Sequence, residues 1–223
     1  MLKIKYYLQR PEDGFDPVPL PYAKSYAEAE YNKFNPDLVE ELENRIGNIA
    51  KKTLIDLGAG PGQYSIEFAK RAAKVTWHDI SKNYLKIAEQ HAQSNNLNIN
   101  FSLGYLEEAK GCYDILFNRI CWYYCIDDYK FASLIYTLVN KGGYAFILVN
   151  NNDFLFNQIK NYSFIKRNVI KVFYAINEKL NIKLIHVHPS HNKLRRVFSE
   201  YKFERFDIEK LGNNTLIFFK KYS

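Results

Sequence analysis

No stretch of this chain approaches the ~18 consecutive apolar residues of a membrane span, so neither a membrane-crossing helix nor a membrane partner is expected. The opening residues, Met1-Leu2-Lys3-Ile4-Lys5, lack the apolar core and small-residue cleavage site of a secretory signal, which makes the cytoplasm the expected address. Cysteine is scarce. Cys112, Cys121 and Cys125 form an odd set without zinc-ligand spacing, so reduced, mostly buried thiols are expected and a metal site is not. Cys121 and Cys125 are spaced to share one face of a helix. Long runs of one charge are also missing. The net charge of +7 is spread among interleaved acids, and Arg195-Arg196 and Lys220-Lys221 are the tightest basic pairs near the end. That pattern reads as a solvated surface; nucleic acid is a possible partner but not the favoured one. Repeats and linkers are absent, which leaves one domain overall, and nothing sets an oligomeric state.

Hydrophobic residues make up 47% of the chain and aromatic ones 16%, enough for a packed globule rather than a disordered segment. The most informative run is Leu54 to Gln63. A short apolar strand, Thr53 to Leu57, enters a turn with alternating glycines, Asp56-x-Gly58-x-Gly60-x-Gly62, and a helix follows near Tyr64. Glycines there allow positive φ and close approach of a ligand to the main chain. A dinucleotide site places its third glycine where Gln63 stands, so that spacing fails. A second strand, Val75 to Ile80, carries Asp79 at its end, just before the N-cap candidate Ser81. In nucleoside-binding α/β sheets a carboxylate at that point accepts from the ribose hydroxyls.

The spacing of these glycines and two acids resembles motif I and its neighbourhood in the class I S-adenosylmethionine-dependent methyltransferases. The resemblance covers Thr53 to Lys220. It implies an α/β fold with a doubly wound, Rossmann-like, seven-stranded sheet and an antiparallel last strand. Further strands are expected at Ile99–Leu103, Tyr113–Asn118 and Tyr144–Val149, the last entered through a Gly142-Gly143 turn, with a closing hairpin of Phe203–Ile208 and Thr215–Lys220. Helices are expected over 82–94, 129–139 and 192–201. Residues 1–50 form an N-terminal helical extension with helices at Tyr22–Phe34 and after Asn35-Pro36, and its Tyr22, Tyr26 and Tyr31 are placed to cap the donor. Residues 51–223 form the methyltransferase domain. Within it, 150–190 exceeds the minimum, and its helical stretch Phe164–Leu180 is either a lid over an acceptor pocket or a packing helix.

By the same resemblance S-adenosylmethionine is the cofactor. Asp56 and the main chain of Gly58, Ala59 and Gly60 hold its methionine end, with Gln63 and Asn118 among the binding residues. Asp79 takes the ribose, and Ile80 packs on the adenine. Relatives often place an Asp after the glycine that follows the third strand. Here Tyr105 follows Gly104, so Tyr105, Glu107 or the backbone around Leu106 makes the adenine contact. Beyond the fourth strand, Arg119 either orients an acidic acceptor or pairs with Asp127 or Asp128. Trp122, Tyr123 and Tyr124 are candidates for the acceptor wall, and Tyr123 is a catalytic candidate. His186 and His188 alternate; a metal site is conceivable, but His188 as a base for an acceptor hydroxyl is the preferred reading. The expected reaction is methyl transfer to oxygen or nitrogen of a small-molecule or sugar-like acceptor. The alternatives are an RNA methyltransferase and a non-catalytic donor-binding partner subunit.

Overall fold

In a computed structural model of the chain, which describes residues 14–150, 157, 159–180, 182, 183, 185 and 187–223, the apolar run Thr53–Leu57 is strand β1 near the middle of a seven-stranded sheet. Among the described residues, helices α1 (Leu20–Asn32) and α2 (Asp37–Ile46) precede it. Then follow α3 (Gln63–Lys70), β2 (Lys74–Asp79), α4 (Lys82–Ser94), β3 (Asn100–Leu103), β4 (Tyr113–Arg119) and α5 (Asp128–Leu138). The chain continues through β5 (Val139–Asn150), α6 (Phe164–Leu180), α7 (His191–Phe198), β6 (Phe203–Leu211) and β7 (Asn214–Lys221). The strand order is β3-β2-β1-β4-β5-β7-β6, with β7 antiparallel to both of its neighbours. This is the doubly wound sheet with its reversed last strand that the resemblance implies.

Strand pleating sends alternate residues to opposite faces, so each buried strand feeds two cores. Leu54, Ile115 and Phe117 join Phe68 and Trp77 beneath α3 and α4, where α1 and α2 also bury Ala23, Val39 and Leu42. Ile55, Leu57 and Leu116 face the other way and meet Phe131 and Ile135 of α5 and Phe198 of α7. Local signals set the element ends. Ser81 caps α4 by accepting from the Tyr84 amide at 3.1 Å, and Asp127 caps α5 through the Tyr129 and Lys130 amides.

Two expectations shift. Gly142-Gly143 is not a turn ahead of β5 but lies inside it. Tyr113 pairs with Val139 and Ile115 with Tyr144, and this bulge accommodates the extra residues. Cys121 and Cys125 do not share a helix face; they flank a single 3₁₀ turn, Trp122–Tyr124. His186 lies outside the described residues. Among the described residues no helix is long and apolar enough to cross a membrane.

Candidate active site

The carboxyl ends of β1, β2 and β4 open onto a cavity of about 500 Å³, within the size range of small-molecule sites. Its floor is the β1–α3 turn. Gly58 has φ +74°, and a Cβ there would stand 2.6 Å from Cys121 Sγ, so the turn closes on the next loop only without a side chain. Gly62, the N-cap of α3 at φ +89°, is equally restricted, since a Cβ would meet that of Ala88 at 2.8 Å. The opposing loop carries strain of its own: Ile120, β-branched, has φ +55°.

Both acids reach this cavity. Asp79 Oδ2 accepts from the Gly60 amide and Oδ1 from the Ser81 amide, each at 2.9 Å. A carboxylate oxygen has two acceptor sites, so each retains capacity for a hydroxyl. Desolvation raises the Asp79 pKa, against the lowering effect of the Ser81 and Gly60 amides. Asp56 is buried, and its Oδ2 accepts from Ser65 Oγ at 2.6 Å. Burial first, with the nearby Asp79 charge adding to it, lifts Asp56 to about 7, while Ser65 and Arg119 oppose the shift.

Arg119 forms part of the wall, but its partner is neither Asp127 nor Asp128. Its Nη1 donates to Glu30 Oε2 of α1 at 3.0 Å, and its guanidinium lies 5.3 Å from the centre of the Tyr64 ring. Gln63 Nε2 donates to the same Glu30 oxygen at 2.8 Å. Tyr105 and Leu106 line the cavity, whereas Glu107 Oε1 accepts from the Ile126 amide at 2.9 Å. His78 steadies this loop: its Nε2 donates to the Tyr105 carbonyl at 2.8 Å, so Nδ1 is left to accept from Ser102.

Gly58, Ala59, Gly60, Gln63, Ile80 and Tyr123 also lie on the wall. Asn118 and His188 do not. Asn118 is fully enclosed, with Nδ2 donating to the Leu57 carbonyl at 2.7 Å. His188 packs edge-on behind Tyr123, ring centroids 4.8 Å apart. Burial first, then the nearby Lys183 charge, lowers its pKa to about 3. The rings of Tyr123 and Tyr124 lie 4.1 Å apart between centroids, tilted by 38°, and share a side-chain hydrogen bond. Trp122 is core, donating from Nε1 to Asp128 Oδ1 at 2.8 Å.

Sequence reading missed two contributors. Pro17 to Pro19 form part of the wall, pinned there because Asp16 accepts from Ser81 Oγ and from the Asn83 amide, each at 2.9 Å. Proline and aspartate are dense in this stretch, which signals irregular backbone but carries no signature of a binding wall. Glu30 was the other; it is one of two acids on its helix, with Glu28, and nothing local sets it apart.

A family profile described as "Methyltransferase domain" matches residues 49–200, about two thirds of the chain. The chain therefore belongs to that family, among the class I S-adenosylmethionine-dependent methyltransferases. The ubiquinone biosynthesis O-methyltransferase of Acinetobacter baumannii (strain ACICU) is 28% identical over 127 residues, 55% of this chain and 54% of that protein. A Nitrosomonas europaea protein of the same description is 27% identical over 126 residues, 55% of this chain and 54% of that one. The match thus spans about half the length of these curated relatives. Among solved structures, a Methanococcus maripaludis protein assigned as an S-adenosyl-L-methionine-dependent methyltransferase aligns with TM-score 0.68 and 23% identity, covering 94% of this chain and 96% of its own. Magnesium protoporphyrin IX methyltransferase of Synechocystis PCC 6803, with bound S-adenosylmethionine, aligns with TM-score 0.58 and 15% identity, covering 83% and 77%. At such identities the likeness is one of fold.

The family's methyl donor is S-adenosylmethionine, and the residues present fit it. It carries an ammonium, a sulfonium and two ribose hydroxyls; the cavity offers two carboxylates, an enclosed Gln63 Oε1 without a partner among the described residues, and tyrosine faces.

Proposed function

We propose that this chain transfers a methyl group from S-adenosylmethionine to an oxygen or nitrogen of a small acceptor bound against its tyrosines. One observation carries the reading: a single cavity joins the acidic, glycine-rich cradle to a wall containing Tyr22, Tyr26, Tyr123 and Tyr124. The bound donor supplies an electrophilic methyl carbon on a positively charged sulfur. Asp56 receives the ammonium, the Gly58–Gly60 main chain follows the methionine stem, and Asp79 accepts from the ribose hydroxyls. Ile80, Tyr105 and Leu106 enclose the adenine. Alignment and exclusion of water are then the protein's main tasks.

The acceptor side supports a narrower class. Burial raises Tyr26 to about 12 and raises Tyr123 as well, so both stay protonated and serve as donors rather than bases. Among the described wall residues there is no histidine. His188, held neutral behind Tyr123, is a poor proton acceptor at that pKa; its role in this reading is to hold Tyr123. The acceptor atom must then part with its proton readily, as a phenolic hydroxyl does, or carry a free lone pair, as a neutral amine does. Arg119, the one cation on the described wall, keeps Glu30 and turns its remaining N–H groups to an acidic group of the ligand. That single paired cation disfavours RNA, which demands many.

Transfer of a radiolabelled methyl group to phenols, amines, sugars and RNA, run beside calorimetry with S-adenosylhomocysteine, tests this. Label on a phenol or amine is expected. Heat without transfer to any acceptor points to the donor-binding subunit, label confined to RNA to the other rival, and no heat at all removes the reading.

A further inference from the structure

Helix α6 turns its more apolar side to solvent. At about 100° per residue, Ile165, Val169, Val172, Phe173 and Leu180 fall within one sector roughly 100° wide. They are 76%, 45%, 56%, 37% and 62% exposed, respectively. The buried member of the inward side is polar: Asn177 donates from Nδ2 to the Ile185 carbonyl at 2.8 Å. A surface helix normally buries such a stripe. Phe164, 70% exposed, stands off this sector at the start of the helix, and Ile182, 51% exposed, follows its end. Lysines border it on both edges, Lys179 on one and Lys166 on the other, and both are exposed. Lys160, ahead of the helix, and Lys171, on the side away from the stripe, are also exposed, and the helix's one carboxylate, Glu178, is engaged by Ser190.

We propose that α6 is a docking surface for an anionic lipid membrane, on which it lies flat with the Ile/Val/Phe/Leu stripe at the acyl boundary and the flanking lysines at lipid phosphates. Charge and shape together select this occupant. Nucleic acid offers phosphates but no use for branched aliphatic side chains. A second copy would bring two lysine-bordered helices together and oppose like charges. A lipid interface satisfies both halves of the pattern, because lysine stems lie along the apolar stripe while their ammonium groups reach the headgroups. Such a helix rests on a membrane without crossing it. The inference stands apart from the proposed acceptor chemistry, since none of these residues lines the cavity.

The test is co-sedimentation of the full chain with sucrose-loaded vesicles, of phosphatidylcholine alone or with about 30% phosphatidylglycerol, with and without high salt. Binding at least about fivefold higher to the anionic vesicles, and weakened by salt, is expected. The double variant Ile165→Asp/Val172→Asp should lose about tenfold or more of that binding while its affinity for S-adenosylhomocysteine stays unchanged, which shows that it is folded. Lys166→Glu/Lys179→Glu should lose the preference for anionic lipid. Equal sedimentation of wild type and the aspartate variant, or no sedimentation of either, overturns the proposal. A fall from dimer to monomer in the aspartate variant, measured by light scattering without vesicles, assigns the face to a second copy instead.

Discussion

Glu30 and Arg119, 89 positions apart in the chain, form an ion pair at 3.0 Å that ties α1 to the end of β4. Because Glu30 also receives Gln63 Nε2, one carboxylate fixes the helix to two sides of the cavity floor. Tyr31 adds a second tie, its hydroxyl donating to the Pro61 carbonyl at 3.0 Å. Both Tyr22 and Tyr26 ride on this helix.

Glu30→Ala should therefore loosen α1 without unfolding the sheet. The pair is partly exposed, so the stability loss should stay near 1 kcal/mol. Affinity for S-adenosylhomocysteine should fall by roughly tenfold, because a wall of its site is no longer held. Calorimetry reads the affinity and limited proteolysis near residue 20 reads the loosening. Unchanged values in both would mean the clamp is not what seats α1.

Gly58→Ala tests the cradle by two separable effects. The new Cβ meets Cys121 Sγ at 2.6 Å, and the backbone remains at φ +74°. Loss of donor binding and roughly 2–4 kcal/mol of stability are expected. Adding Cys121→Gly removes the clash but not the backbone strain, so thermal stability should recover only in part. Full recovery would mean that the positive φ is not needed.

The parts legible in the chain were those with local causes. Thr53–Leu57 and Phe164–Leu180 have the expected bounds because an apolar run and a 3.6-residue period act over a few neighbours. Asp56, Gly58 and Asp79 were legible because one strand-to-helix turn and the next strand end carry their own signature. Asn118 was less so: strand alternation sends it away from the cavity that its neighbour Arg119 faces. The partners of Arg119 and Asp128 come from elements far along the chain, and no spacing rule foretells them.

Asp128 illustrates this. Its Oδ1 meets Lys183 Nζ at 2.6 Å and its Oδ2 meets Lys193 Nζ at 2.5 Å, with all three side chains almost wholly buried. Burial alone raises a carboxyl pKa, yet the two lysines hold Asp128 below the usual range. Asp128→Asn should cost about 3–5 kcal/mol, since two buried ammonium groups lose their counter-charge. Lys193→Met should cost less, because the Asp128–Lys183 pair survives. Denaturant melts of the two variants check the order, and a reversed order would show that the charges are not what the core depends on.

Asp56 gives a proton-linked signature of donor binding. Its carboxyl sits near 7, so at neutral pH about half the molecules carry a proton there. An ammonium placed beside it favours the charged form and should expel that proton. Titration of S-adenosylhomocysteine at pH 7 in buffers of different ionisation enthalpy should show net proton release, and affinity should rise as pH climbs from 6 to 8. Asp56→Asn should abolish both. Release that persists in the variant would place the ammonium elsewhere.

His188 makes stability itself depend on pH, with a sign that follows from burial. Its folded pKa, about 3, lies below the ordinary value of 6.5, so the unfolded chain binds the extra proton between those limits. The neutral ring therefore contributes stability that is fully present above pH 6.5 and is lost progressively as pH falls toward 3. Between pH 7 and pH 5 the loss attributable to this residue should be about 2 kcal/mol. His188→Phe retains an aromatic edge against Tyr123 and removes the titration, so its melts should change less over that range than those of the wild type. Retained methyl transfer in the same variant would identify His188 as the residue that positions Tyr123. A transfer rate that collapses while stability holds would return it to proton transfer.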